Sequence, residues 1–260
     1  MRYPYPFLEH AGNRESFFRR IRELYPSTDA RYQRISHAYN TAKDTFRHVI
    51  REDGERYFEH LRAVALILIV YLRVKDPDLI IAALLHDIVE DCPQWPNERV
   101  RAEFGDRVAD LLGWLSKPSK MEYPEKADRD RVYHARLALA PRDVLIIKLP
   151  DRLHNMLTLL ACDPEKRHRK VEETKRYYLP LAEREMLLIH ELEDALAMVE
   201  ESLVAPVIPL APPLPGSVSD PAIGTQAKTR RRSAKPPEER EQPSGDLEDP
   251  SRSFPPDCGG

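Results

Sequence analysis

The chain has 260 residues, enough for one or two domains, and its hydrophobic (42%) and charged (32%) fractions are those of a protein with a folded core. A formal net charge of −3 argues against non-specific nucleic-acid binding by the protein as a whole. Three widely spaced cysteines form neither a zinc pattern nor a disulfide framework and favour a reducing cytoplasm, and the N-terminus lacks the apolar core of a signal peptide.

In chain order, the sequence predicts an N-terminal extension (1–12), a compact all-α domain (13–205) and a disordered proline-rich tail (206–260). Scarce glycine and the absence of alternating Val, Ile and Thr segments favour helices almost throughout the domain. The predicted helices span residues 15–24, 30–51, 57–74, 77–89, 97–104, 106–115, 127–139, 142–160 and 165–203, the last with a potential break at Pro180. The pairs Asp76-Pro77 and Asp163-Pro164 are typical of an N-cap followed by proline at the first helical position.

The apolar run at residues 63–72 is too short to span a bilayer and predicts a buried helix. The tail holds 12 of the 24 prolines and one aromatic residue, Phe254, so it cannot bury enough apolar area to offset its chain entropy. A basic cluster from Lys228 to Arg232 could contact phosphate or a membrane surface, although most such clusters are merely solvated.

The most informative segment is 82–91, Ala-Ala-Leu-Leu-His-Asp-Ile-Val-Glu-Asp, in which a histidine and three carboxylates follow apolar residues. On a helix, His86 lies four residues before Glu90, and Asp87 lies four before Asp91, so the four groups cluster within about one and a half turns. Charged groups beside a core need partners, and a metal ion is a common one. A capped helix end with solvated acids is the alternative.

Two further residues could join this cluster from other helices. His60 opens the apolar run from residue 61 and can turn into a pocket, although a lone histidine there is more often partly exposed. Asp151 follows the apolar run 144–149, so it enters the interior from a core helix, and Asn155 lies one turn beyond it.

Five motifs occur in order along the domain. They are Arg51-x-x-Gly54-x-x-Tyr57-x-x-His60; residues 82–91; Phe104-Gly-Asp-Arg-Val-Ala109 with Ser116-Lys117; Lys148-Leu-Pro-Asp-Arg-Leu-His-Asn-Met156; and Glu173-Thr174 with Tyr178-x-Pro-Leu-Ala182. Together they resemble the hydrolase domain of the RelA/SpoT alarmone enzymes, which belongs to the metal-dependent HD phosphohydrolase superfamily. The resemblance runs from about residue 32 to residue 184 and implies a multi-helix HD-domain bundle.

The resemblance implies one manganese ion (Mn²⁺) held by His60, His86, Asp87 and Asp151. Two imidazoles and two carboxylates suit a borderline-to-hard divalent metal, and the lack of cysteine weakens the case for structural zinc. It also implies that Glu90 and Asp91 act on the hydrolytic water, with a role in supporting the metal ligands as the alternative.

The substrate implied by the resemblance is guanosine tetra- or pentaphosphate, which would lose its 3′-pyrophosphate and leave GDP or GTP. The residues expected to bind this guanine nucleotide are Arg51 at the base, Asn155 at the ribose, and Lys117 and Arg152 at the pyrophosphates. For Arg152 a structural salt bridge is an equal alternative. The synthetase half of the long family members has no counterpart, which predicts a stand-alone hydrolase.

Two departures from the family pattern leave the substrate open. Glu52 stands where a basic residue is usual, and a negative charge there should weaken the grip on an anionic nucleotide. Pro150 stands just before Asp151 and either kinks the helix or marks the first turn of a new one. Alternative substrates are therefore NADPH or a pyrophosphorylated tRNA end, the latter as an antitoxin to a synthetase-like toxin. A non-catalytic binding protein with the same fold is a third hypothesis.

Overall fold

The computed structural model describes residues 13–204, in which the chain is helical and no strand occurs, so the predicted all-α class is confirmed. The expectations for residues 1–12 and for the tail from residue 206, including its basic cluster, lie outside the described residues. The helices are α1 (Arg14–Leu24), α2 (Ala30–Thr45), α3 (Tyr57–Leu66), α4 (Pro77–Leu85), α5 (Ile88–Asp91), α6 (Asn97–Phe104), α7 (Asp106–Leu115), α8 (Lys126–Ala138), α9 (Arg142–Leu157), α10 (Pro164–Glu173), α11 (Leu179–Glu185) and α12 (Ile189–Val204). Short π-helical segments follow α3 (Ile67–Tyr71) and α10 (Thr174–Tyr178), and a 3-10 turn follows α9 (Leu159–Ala161).

Both predicted Asp-Pro helix starts are confirmed. The Asp76 carboxylate accepts a hydrogen bond from the N–H of Asp78 (2.9 Å), and the Asp163 carboxylate accepts one from the N–H of Lys166 (2.8 Å). Each bond satisfies a backbone donor that the first helical turn leaves free. The caps therefore fix where α4 and α10 begin.

Helix α9 lies at the centre of the bundle. It packs against α3, α4, α7, α11 and α12, and residues Val144, Leu145, Ile147 and Leu149 are completely buried. Because α9 is surrounded, the polar residues of its second half, including Asp151, enter the interior as the sequence predicts. Pro150 lies inside this single helix, so the alternative of a new helix starting there is wrong.

Three predicted helix ends are wrong. Helix α2 ends at Thr45 instead of residue 51, because Gly54 (φ 83°) turns the chain and the N–H of Tyr57 bonds back to the carbonyl of Val49 (2.9 Å). The long C-terminal helix breaks at Met186 and Leu188, both in the left-handed region, whereas Pro180 is accommodated in the first turn of α11.

The third difference lies in the central motif. The predicted helix 77–89 is interrupted between Leu85 and Ile88. Ring nitrogen Nδ1 of His86 lies 2.9 Å from the carbonyl oxygen of Ala83, a carbonyl that a continuing helix bonds to the N–H of residue 87. Among residues 13–204, none of the helices combines the length and hydropathy needed to cross a membrane.

Candidate metal centre and its cavity

Three side chains from three helices converge in the core. His60 at the start of α3, His86 after α4 and Asp151 in α9 each offer a ligand atom, and these atoms lie within 4.8 Å of one another. Their exposed fractions are 1%, 1% and 4%. Buried charged groups of this kind are stable only when they are paired or hold a metal.

Both imidazoles present Nε2 to this cluster. His60 Nε2 lies 3.1 Å from Asp151 Oδ1, and its Nδ1 lies 2.9 Å from Nδ1 of His154. His86 Nδ1 faces the carbonyl of Ala83, which accepts only, so Nδ1 carries a proton and Nε2 is the nitrogen whose lone pair a metal ion can take. A backbone or side-chain partner that fixes the tautomer in this way is typical of metal-binding histidines.

Asp87 lies beside the cluster. Its Oδ2 is 3.0 Å from His86 Nε2 and accepts a hydrogen bond from the Tyr57 hydroxyl at 2.7 Å. The structure thus brings all four predicted metal ligands together, although the tightest group is His60, His86 and Asp151.

The electrostatics of the centre depend on its carboxylates. Although burial disfavours charge on His86, the carboxylates of Asp87 and Asp151 raise its pKa to about 10, whereas burial and the Arg51 charge lower the pKa of His60 to about 4. Burial opposes ionisation of Asp151, but the Lys148 ammonium, 2.8 Å away, and the imidazoles hold its pKa well below its usual range. The two carboxylates therefore face the Lys148 ammonium, a His86 imidazole whose protonation they favour, and a neutral His60 imidazole.

The donor set fits a divalent cation. His86 Nε2 is buried and makes no hydrogen bond of acceptable geometry, although two carboxylate oxygens lie within 3.5 Å. A cation placed among these atoms would satisfy the nitrogen and the facing carboxylates together. The arrangement supports a divalent metal in general and does not by itself select one ion.

The centre opens into a cavity of about 430 Å³. Asp87, Glu90 and Asp151 line one part of it, and most of the other lining residues come from the 49–53 loop and from α9 and α10. Cationic side chains in the lining are those of Arg51, Lys117, Lys148, Arg152, Lys166 and Lys170, and carboxylates are those of Glu52, Asp53, Asp87, Glu90, Asp151 and Glu173. A cavity of this size that offers cations for phosphate and carboxylates for a metal suits a nucleotide bound beside a metal ion.

The two predicted acids differ in their placement. Glu90 lines the cavity, and its carboxylate accepts the backbone N–H of Lys117 (3.1 Å). Asp91 is not among the lining residues and instead accepts a hydrogen bond from the Tyr57 hydroxyl (3.3 Å). Burial and the nearby charges of Asp87 and Glu90 raise the pKa of Asp91 to about 6.

All four predicted nucleotide-binding residues line the cavity. The guanidinium of Arg51 donates to the Asn155 side-chain oxygen and to the Thr158 hydroxyl, each at 3.0 Å, and the Asn155 amide donates to Asp151 at 2.6 Å. Lys117 pairs with Asp130 (2.8 Å). Asn155 therefore links the metal centre to the Arg51 side of the cavity.

Arg152 lies in the structural salt bridge that the sequence left as an alternative. Its guanidinium is 2.8 Å from Glu173 and stacks over Tyr178 at 3.7 Å. Lys170 donates to the other oxygen of Glu173 at 2.6 Å. Arg152 thus makes the structural salt bridge and also lines the cavity.

Several residues of the site had no predicted role. Tyr57, Lys148 and His154 belong to the quoted motifs but contact the centre in ways that spacing does not reveal, and Lys166 and Lys170 lie outside those motifs. The only available signal was that α10 is rich in basic residues and follows directly after the third motif.

Comparison with known proteins places the domain in a family. The model of the HD domain family matches residues 38–187, which are 150 of the 260 residues. A solved structure of a metazoan ortholog of SpoT, described as hydrolysing ppGpp and acting in starvation responses, superposes with a TM-score of 0.58 at 25% identity. That likeness covers 66% of this chain and 97% of the solved chain.

Two curated relatives are longer proteins. The chain is 39% identical over 158 residues to a guanosine-3′,5′-bis(diphosphate) 3′-pyrophosphohydrolase of Haemophilus influenzae, covering 59% of this chain. It is 36% identical over 167 residues to the bifunctional (p)ppGpp synthase/hydrolase SpoT of Escherichia coli K12, covering 63% of this chain. In each case the match spans 23% of the relative's length.

Proposed function

The chain belongs to the HD domain family, and from this we propose that it is a metal-dependent hydrolase of guanosine tetra- and pentaphosphate. The reaction removes the 3′-pyrophosphate and leaves GDP or GTP. One observation carries the proposal: a buried cluster of His60, His86 and Asp151 lies beside a cavity whose lining includes both cationic side chains and the carboxylate of Glu90. The names of the relatives supply the substrate class.

His60, His86, Asp87 and Asp151 would hold the cation, which we take to be Mn²⁺. Imidazole and carboxylate together suit manganese better than a thiolate-preferring metal, and none of the converging ligands is a cysteine. A divalent cation bound there supplies a Lewis acid and lowers the pKa of water.

Glu90 and Asp91 act on the proton of the attacking water. A water oxygen bonds to the phosphorus attached to the ribose 3′-oxygen, and Glu90 accepts a proton from the water. The bond between that phosphorus and the 3′-oxygen breaks, and the 3′-oxygen takes up a proton from the solvent to become the 3′-hydroxyl of GDP, while Glu90 returns its proton to the solvent. The backbone N–H of Lys117 holds the Glu90 carboxylate in the cavity wall. Asp91 acts from one step further away, through the hydroxyl of Tyr57.

Nucleotide binding is assigned to the cavity walls. Arg51 faces the base, because a planar guanidinium can stack on a purine, and Asn155 faces the ribose beside the metal centre. Lys117 and Arg152 neutralise phosphate charge. The ion pairs that these cations make with Asp130 and Glu173 hold the two side chains at the cavity wall.

A substrate panel tests the proposal. The purified protein is incubated with Mn²⁺ and, separately, guanosine tetraphosphate, NADPH and a tRNA carrying a 3′-terminal pyrophosphate, and the products are separated by ion-exchange chromatography. We expect rapid release of pyrophosphate from guanosine tetraphosphate. Turnover of NADPH or the tRNA alone would assign the metal chemistry to that substrate instead and would reopen the antitoxin hypothesis.

A further inference from the structure

An ion pair joins two segments of the chain that line the cavity. The Glu52 carboxylate, in the loop before α3, lies 2.8 Å from the ammonium of Lys166 in the first turn of α10. Both residues line the cavity, and their side chains are 54% and 31% exposed. The contact links segments 114 residues apart in the chain.

Lys166 is the most exposed of three cations that α9 and α10 place on the cavity wall. Its side chain is 31% exposed, against 29% for Lys170, one turn further along α10, and 6% for Arg152 on α9. The latter two cations share the single carboxylate of Glu173. The Glu52 carboxylate likewise balances the charge of Lys166.

Glu52 is charged at neutral pH. The Cys162 thiol and the Lys166 ammonium both donate to its carboxylate and hold its pKa below its usual range. An exposed ion pair contributes little to stability, so another anion can replace the carboxylate at small cost. A phosphate is the natural replacement, since it offers lysine the same charge-assisted hydrogen bond.

We propose that Lys166 binds the phosphate chain that is not cleaved, and that Glu52 sets specificity by competing with this chain for Lys166. The inference rests on the proposed function, which places the cleaved pyrophosphate at the metal centre. Lys166 is not one of the converging metal ligands, and its side chain is 31% exposed whereas those ligands are buried, so it is placed to meet the 5′ phosphates of the same nucleotide. In the free protein the Glu52 carboxylate is paired with Lys166. It repels the nucleotide phosphates only when a phosphate takes its place and the pair separates.

A double-mutant cycle tests the competition. Glu52→Gln, Lys166→Gln and the double variant are compared with the unaltered protein in steady-state hydrolysis of guanosine tetraphosphate with Mn²⁺. We expect Lys166→Gln to raise KM about fivefold and Glu52→Gln to lower it by a similar factor, with the effect on KM and not on kcat. In the Lys166→Gln background the Glu52→Gln change should have no effect on KM, because no competition is left.

A second substrate shows whether the change in KM depends on the 5′ phosphates. Guanosine 3′-diphosphate lacks the 5′ phosphates, so its KM should respond to neither substitution. As a matched control, Glu200→Gln breaks an exposed Lys–Glu pair with Lys175, which does not line the cavity, and should leave both values of KM as they are.

Two outcomes overturn the inference. If Glu52→Gln lowers KM equally in both backgrounds, Glu52 acts by general repulsion, and if it raises KM, Glu52 contacts the nucleotide itself. Absence of turnover in the unaltered protein contradicts the proposed function instead. In that case calorimetric titration of the four proteins with guanosine tetraphosphate measures the same coupling, and additive effects there overturn the competition.

Discussion

His154 lies behind His60, on the side away from the facing carboxylates. The 2.9 Å contact between their Nδ1 atoms requires one nitrogen to donate and the other to accept, and metal binding through His60 Nε2 leaves the proton on His60 Nδ1. We expect His154→Phe, which removes the acceptor, to weaken Mn²⁺ binding about 10- to 100-fold. Competition with a fluorescent chelator measures the affinity, and unchanged binding in a folded variant contradicts the assigned role.

The two acids of the central motif should differ in effect because only Glu90 lines the cavity. Glu90→Gln should keep the metal and lower kcat about 100-fold or more, the usual range for loss of a general base. Asp91→Asn should cost less, since Asp91 reaches the site through Tyr57. Metal content by elemental analysis and kcat are measured on both variants. A larger loss in Asp91→Asn reverses the assignment.

At the residue scale, the sequence predicts the placement of some side chains better than that of others. Side chains next to apolar runs are placed well, and side chains whose partners are far away in the chain are not. His86, Asp87 and Asp151 adjoin buried residues, so their entry into the interior could be predicted from the local pattern, whereas their convergence with His60 was implied by the family resemblance. The pairing of Glu52 with Lys166 joins residues 114 positions apart, and no spacing rule reveals it. The expected repulsion between Glu52 and an anionic nucleotide follows from the charge of Glu52 alone and does not include its partner, Lys166.

At the scale of elements, the break between α11 and α12 stores backbone strain. Met186 (φ 52°) adopts the left-handed region at the end of α11, and its side chain is 85% exposed. Met186→Gly should therefore stabilise the protein by about 0.5–1 kcal/mol, raising Tm by about 1–4 °C.

Leu188 is the matched control for this substitution. It also has positive φ (58°) but is only 5% exposed, so Leu188→Gly gives up core packing and should lower Tm. Differential scanning calorimetry measures both variants. A lower Tm for Met186→Gly would show that the exposed side chain matters more than the strain.

Helix boundaries that a capping side chain sets could be predicted from the sequence, whereas boundaries that a backbone turn sets could not. Asp76 and Asp163 indicate where their helices begin, because an N-cap needs a side chain that can accept a backbone hydrogen bond. The ends of α2 and α11 depend on backbone turns at Gly54, Met186 and Leu188, and two of these residues rarely adopt positive φ. The interruption at His86 results from a side-chain contact with Ala83, which helix propensity does not include.

At the scale of the whole molecule, the metal centre ties together distant parts of the bundle. The proposed ligands come from α3, the turn after α4, and α9, so a cation bound there would cross-link helices that are separate in the chain. With Mn²⁺ at about 100 times its Kd, the gain of about 2.7 kcal/mol should raise Tm by about 5–10 °C. The shift should vanish in Asp151→Asn, and an equal shift in that variant would mean that the metal binds elsewhere.

The most direct test of the account is the stoichiometry of the reaction itself. The purified protein is incubated with guanosine tetraphosphate, once with Mn²⁺ and once with excess chelator, and GDP and pyrophosphate are quantified over time. We predict equal amounts of GDP and pyrophosphate with the metal and neither product with the chelator or in Asp87→Ala. Release of single phosphates, or unchanged turnover after removal of the metal, would contradict a metal-dependent 3′-pyrophosphohydrolase.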